Sequence, residues 1–189
     1  MLILLCFFSF PCFSGDKIKI VKTCQLKKNE SVQLLSLRTI DGDTLYLKFR
    51  NVITGAFLDT PTKSYDFLGD VVLSQCINGS LIFALEYGSP YIKGCLVTGW
   101  ENGFKGKNSP EGFCFAERNI PEAVWFGKNN ILIIIRNQMD VGTWKGKYII
   151  AKWHLNRSQF GIRIDHDLAS ISDHSLASQS ITIWHASDH

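Results

Sequence analysis

Ile131-Leu-Ile-Ile-Ile-Arg-Asn-Gln-Met-Asp-Val-Gly-Thr-Trp-Lys-Gly-Lys-Tyr-Ile-Ile-Ala-Lys-Trp153 holds two β-forming runs around a polar corner. Ile131 to Ile135 is β-branched almost throughout, which suits a pleated strand packed on a core. Arg136 to Thr143 is polar and turns the chain. From Trp144 the period of two separates Trp144, Gly146, Tyr148 and Ile150 from Lys145, Lys147, Ile149, Ala151 and Trp153.

The corner Asp140-Val-Gly142-Thr-Trp144-Lys-Gly146 resembles the Asp-x-Gly-x-Tyr-x-Cys corner of immunoglobulin-like domains, with Trp in place of Tyr and Gly146 at the cysteine position. In that family the aromatic side chain braces the corner between strands E and F, which lie in opposite sheets. The run Lys147 to Trp153 is also similar to the last strands of adenoviral early-region immunoglobulin-like glycoproteins. The resemblance implies a buried Trp144 beside Asp140, and it makes Cys76 a candidate for the B-strand cysteine. Two departures stand against it. Gly146 cannot form the usual inter-sheet disulfide, and Trp100 lies farther beyond Cys76 than the strand-C tryptophan of the family.

The rest of the chain points to the same class. Strand candidates are Lys17–Thr23, Val32–Leu37, Thr44–Phe49, Val71–Cys76, Leu81–Tyr87 and Ile92–Trp100, with Phe113–Phe115 also strand-like. Asp41-Gly42 and Asn78-Gly79 mark hairpin turns. Lysines in the first candidate suit an edge strand. Glu101–Gly112 reads as a long polar loop, and Pro121–Trp125 is too short to assign. Many short strands without helical periodicity predict an all-β sandwich, which the corner resemblance implies is immunoglobulin-like. The predicted organisation is a leader over 1–14, an N-terminal β segment over 15–65, a sandwich over 66–165 and a Ser/Asp/His-rich, unpacked tail over 166–189. Leu45–Asn51 echoes Ile131–Asn137, as a decayed repeat of a shortened first unit or as chance likeness among β-rich segments.

The opening MLILLCFFSFPCFSG is apolar and uncharged, and it ends with Cys12 and Ser14 at the −3 and −1 positions of a cut after Ser14. It reads as a secretory signal peptide. Removing it leaves Cys24, Cys76, Cys95 and Cys114, an even set that suits two disulfides with three possible connectivities. Cys95 and Cys114 flank a turn-rich stretch and are the expected pair, which leaves Cys24 with Cys76. Asn29, Asn78 and Asn156 each open an Asn-x-Ser glycosylation triplet. No later apolar stretch suits a membrane-spanning helix.

The net charge is +3, with −3 carried by the last 30 residues, too mild and scattered a balance for a nucleic-acid surface. No nucleophile elbow, phosphate loop or dinucleotide fingerprint occurs, so no enzymatic role and no cofactor are expected. Four of the five histidines fall in the tail, where no rigid shell would hold a metal. The expected role is recognition of another protein: a receptor, an adhesion partner or a second copy. With Trp144 taken as facing inward, Ile149, Ala151 and Trp153 form an outward apolar patch rimmed by Lys145 and Lys147, either a partner surface or covered by residues 17–50 or a C-terminal turn. A lipocalin-like β-barrel carrying a small ligand is the alternative; length, leader and cysteines suit it, but its N-terminal Gly-x-Trp signature is missing.

Overall fold

The computed structural model describes residues 18–27, 30–60, 67–88, 91–102, 108–127, 130–137, 148–154, 163–164 and 182–185. They form three antiparallel sheets. The first contains β1 (Ile18–Gln25), β2 (Ser31–Thr39), β3 (Gly42–Phe49) and β4 (Val52–Gly55). The middle sheet contains β5 (Asp70–Ile77), β6 (Ser80–Glu86), β7 (Ile92–Asn102) and β8 (Asn108–Glu117). The third holds β9 (Pro121–Phe126), β10 (Asn130–Arg136), β11 (Tyr148–His154), β12 (Arg163–Ile164) and β13 (Thr182–His185), in the order β12-β11-β10-β9-β13.

Local turn chemistry builds the meanders. Ile77 pairs with Ser80 across Asn78 and Gly79, whose φ values of 44° and 66° suit a two-residue hairpin turn. Asn and Gly are the residues that accept two successive positive φ angles most readily. Between β3 and β4 the turn is Arg50-Asn51, with Arg50 at φ 51°. Arg136, its counterpart in the Leu45–Asn51 and Ile131–Asn137 likeness, instead ends the second strand of its meander. The two Arg-Asn pairs thus occupy non-equivalent positions in their meanders.

The sheets stack face to face with the middle sheet between the others. Val32, Leu34, Leu45, Leu47 and Phe49 of the first sheet pack on Leu81, Phe83, Leu85, Cys95 and Val97 of the middle one. The opposite face of the middle sheet puts Ile82, Ala84, Leu96, Phe113 and Phe115 against Val124, Phe126, Ile131, Ile133 and Ile135 of the third. Both faces of β6 are therefore covered, and residues 80–85 are all 0% exposed. This explains why Leu81–Leu85 is a continuous apolar run.

Backbone contact and a disulfide join the first two sheets. Asp43 and Gly69 exchange backbone hydrogen bonds, at 2.7 and 3.3 Å. Cys24 on β1 is bonded to Cys76 on β5, and Cys95 on β7 to Cys114 on β8. These are the two pairs expected. Removing apolar area from water on both faces of one sheet is the main stabilising contribution, at roughly 25 cal/mol per Å².

Several expectations need correction. Each sheet is built from one run of strands consecutive in the chain, without the exchange back and forth between sheets that an immunoglobulin sandwich requires. β10 and β11 are hydrogen-bonded neighbours, with Ile131 opposite Trp153. The segment between them therefore joins strands of one sheet, whereas an E–F corner joins opposite sheets. The described sheets retain free edges instead of closing into the barrel of the alternative reading. β7 and β8 extend well into the stretch read as a polar loop, and Pro121–Phe126 is a full strand between β10 and β13. Residues 182–185 of the tail, expected to be unpacked, pair with β9, because Thr182-Ile-Trp-His185 favours a strand.

Candidate functional site

A surface cleft of about 190 Å³ lies along β8, at the edge of the middle sheet. Cys114, Phe115, Ala116 and Glu117 form its floor; Ile135, Ile149 and Ala151 of the third sheet form one wall; Asp59, beyond β4, stands on the other side. The lining is mainly apolar. Phe115 and Ile135 belong to the core between the two sheets, so the cleft is where that core reaches the surface.

Asp59 is held by a buried cation. Lys93 is the lone charged residue in an apolar part of β7, and its ammonium lies 2.6 Å from the Asp59 carboxylate. The Lys93 side chain is 9% exposed and that of Asp59 44%. The ammonium also stands 4.3 Å from the ring centroid of Phe67 and 5.7 Å from that of Phe57, within reach of both aromatic faces. The cation is therefore covered while its carboxylate faces outward. The backbone amide of Leu58 donates to Cys114 Sγ at 3.2 Å, fixing this loop against β8.

The edge itself carries hydrogen-bonding groups, and the Asn78-Gly79 turn determines which way they point. A two-residue turn makes Ile77 and Ser80 a hydrogen-bonded pair. Alternation from there directs the backbone groups of Leu81, Phe83 and Leu85 to β7, and those of Ile92, Gly94 and Leu96 to β8. Phe113, Phe115 and Glu117 answer them. Cys114 and Ala116 are left with N–H and C=O pointing to the open edge. The 3.9 Å between the Cα atoms of Cys95 and Cys114 agrees, because the close pairs of an antiparallel ladder are those not hydrogen-bonded to each other. No described strand pairs with this side of β8.

The expected outward patch is reversed. Ala151 is 5% exposed and belongs to the core shared with the middle sheet, and Trp153 stacks on Phe113 with ring centroids 5.7 Å apart. Ile149 lies on the same face, half-buried, and lines the cleft. The inward direction of Trp144 assigned this face outward; pairing with β10 turns it toward the middle sheet. Lys145, Lys147, Asp140, Gly142, Trp144, Asn29 and Asn156 lie outside the described residues. Asn78 is exposed on its turn.

Sequence reasoning missed Asp59 and Lys93. The available signal was a lysine inside an apolar strand, which burial obliges to find an anionic partner. Among the described residues, no group of three or more His, Cys, Asp or Glu side chains is placed to hold a metal ion, and no helix is long and apolar enough to cross a membrane. No family model, curated protein or solved structure matches the chain.

Proposed function

We propose that this chain is a secreted, N-glycosylated protein-recognition module that binds its partner at the β8 cleft. The cleft carries the reading: it is an apolar opening on an otherwise packed core, floored by an edge strand that the Cys95–Cys114 bond ties to β7. Its volume of about 190 Å³ is below the few hundred Å³ that enclose a drug-sized ligand, and suits one or two side chains of a protein partner. This favours recognition over carriage of a small molecule. Two disulfides suit an oxidising compartment. The apolar leader and the three Asn-x-Ser triplets support secretion and glycosylation. Ser80 is buried at the exposed Asn78 turn, so that triplet is accessible to the transferase only before β5 and β6 pair. The immunoglobulin resemblance rests on the Asp140, Gly142 and Trp144 spacing alone, and recognition does not depend on it.

The test is expression through a secretory pathway followed by binding to arrayed extracellular domains. The expected outcome is secreted chain whose mass falls on treatment with peptide N-glycosidase, with saturable binding to at least one domain. Ile149→Arg, which places a charge in the cleft, should weaken that binding about tenfold or more, as loss of a central contact does. Retention inside the cell, or binding unaffected by Ile149→Arg, contradicts the reading.

A further inference from the structure

We propose that the outer face of the first sheet is the contact between two copies of this chain, packed sheet to sheet about a twofold axis. This face shares no residue with the lining of the β8 cleft, and the proposal goes beyond the recognition reading. Val32, Leu34, Leu45 and Leu47 turn toward the middle sheet, so the period of two sends the residues between them outward. Strand register sorts the outward side chains into rows. The central row is Ile20, Leu35 and Tyr46. Ile18, Leu37 and Thr44 lie on one side of it; Gln33, Lys48 and Ile53 lie on the other. Ile18, Ile20 and Ile53 are 64%, 54% and 56% exposed. Leu35, flanked by Ile20 and Tyr46 across the strands and by Gln33 and Leu37 along β2, is 5% exposed. The outward face of an antiparallel sheet in water is ordinarily polar, whereas these rows are mostly apolar and Lys48 is their single charge.

Size, symmetry and charge point to a second copy. Four strands about 4.8 Å apart, rising about 3.4 Å per residue, present a face of roughly 500 Å² in projection. Two such faces bury roughly 1,000 Å² together, the area at which a specific interface begins. A twofold axis laid along the row of Ile20, Leu35 and Tyr46 sets that row on its own twin, apolar against apolar. The same axis sets each Lys48 opposite Thr44 of the other copy, because the two flanking rows exchange places. The two Lys48 residues are then about 13 Å apart along the strands, beyond the Debye length of about 8 Å, so the one charge on the face does not oppose the pairing. A membrane suits the face less, because Gln33 shares the plane of the apolar rows and would enter hydrocarbon unpaired. Pairing through the β1 edge is disfavoured by Lys19 and Lys22, as lysines on an edge strand repel a second strand.

The test is sedimentation equilibrium of the secreted full chain across a range of concentrations. A monomer–dimer equilibrium with a micromolar dissociation constant is expected, as an interface of this size implies. Added salt should leave it unchanged or tighten it, since salt screens what repulsion remains between the two Lys48 residues and does not weaken apolar burial. Ile20→Lys changes an exposed side chain and brings two ammonium groups face to face. It should weaken dimerisation about tenfold or more with an unchanged melting temperature. Ile120→Lys, an exposed apolar position between β8 and β9, should leave dimerisation unchanged. Ile149→Arg in the β8 cleft should also leave it unchanged, so this proposal and the recognition reading fail separately. The four cysteines of the mature chain are bonded to one another, so Ile20→Cys adds one free thiol. A bismaleimide spanning about 10 Å, the spacing of packed sheets, should join it to its twin and should not join Ile120→Cys. If Ile20→Lys melts early, this crosslink decides alone. A chain that is monomeric at every concentration overturns the proposal, as does a dimer that tolerates Ile20→Lys or equal crosslinking at both positions. A monomer that sediments with phosphatidylserine vesicles and is released by salt also overturns it, and gives the face to a membrane.

Discussion

Gly69 shows how closely the backbones approach where the first and middle sheets join. A Cβ on Gly69 falls well inside contact distance of the Glu86 carbonyl, and one on Gly42 overlaps Gly69 itself. Gly42 also has φ 136°, a conformation that other residues rarely adopt. Neither obstacle is a flexible side chain, so backbone must shift to admit even a methyl group. Gly69→Ala is expected to cost about 2–3 kcal/mol in urea melts, at the upper end for overpacking. A cost below about 0.5 kcal/mol, the range of neutral surface changes, contradicts the contact. Charged residues on the surface carry less. Arg38 bridges Asp70 and Asp43, and those hydrogen bonds raise its pKa above the ordinary value, Asp70 contributing most. Arginine is already protonated throughout the range in which proteins fold, so this shift adds no pH dependence there.

The Cys24–Cys76 bond adds a covalent coupling between the first two sheets. It joins strands of different sheets across a sequence separation of 52, whereas Cys95–Cys114 joins strands that are already neighbours. Restricting an unfolded loop of that length stabilises by about 4 kcal/mol in the chain-entropy account. The double variant Cys24→Ala, Cys76→Ala should therefore lose about 3–4 kcal/mol in denaturant melts. A loss below about 1 kcal/mol would show that packing alone holds the first sheet. Elements with strong local chemistry were legible in the sequence. The Asn78-Gly79 turn and the inward set Leu45, Leu47 and Phe49 follow from turn preference and a period of two. β11 was not legible in that way. Ile133 is 0% exposed toward the middle sheet, and Leu132, on the opposite face, is 4% exposed. When both faces of a sheet are apolar, periodicity marks the strand but does not say which face looks inward. The Asp140–Trp144 spacing was used to decide, and it chose the wrong face.

At the scale of the molecule, three meanders stack so that the middle sheet is covered on both faces, while no described strand pairs with its β8 edge. The all-β class could be read from short strands and turn signals. The stacking could not, because the contacts between Leu34, Leu47 and Phe83, or between Phe113 and Trp153, are remote in sequence. The cleft was half legible: Ile149 and Ala151 were singled out, but Asp59 and Lys93 meet only through tertiary packing. Cooperative stability should follow the layering, since amides in a doubly covered sheet open only with global unfolding. The most direct test is amide hydrogen exchange of the native chain without a partner, read residue by residue. The amides of Leu81, Phe83, Gly94 and Leu96 should be the slowest, while Cys114 and Ala116, although in a strand, exchange several orders of magnitude faster because their N–H groups face the open edge. Protection at Cys114 and Ala116 equal to that of Phe113 and Phe115 would contradict the account, because it would mean that the edge is already paired.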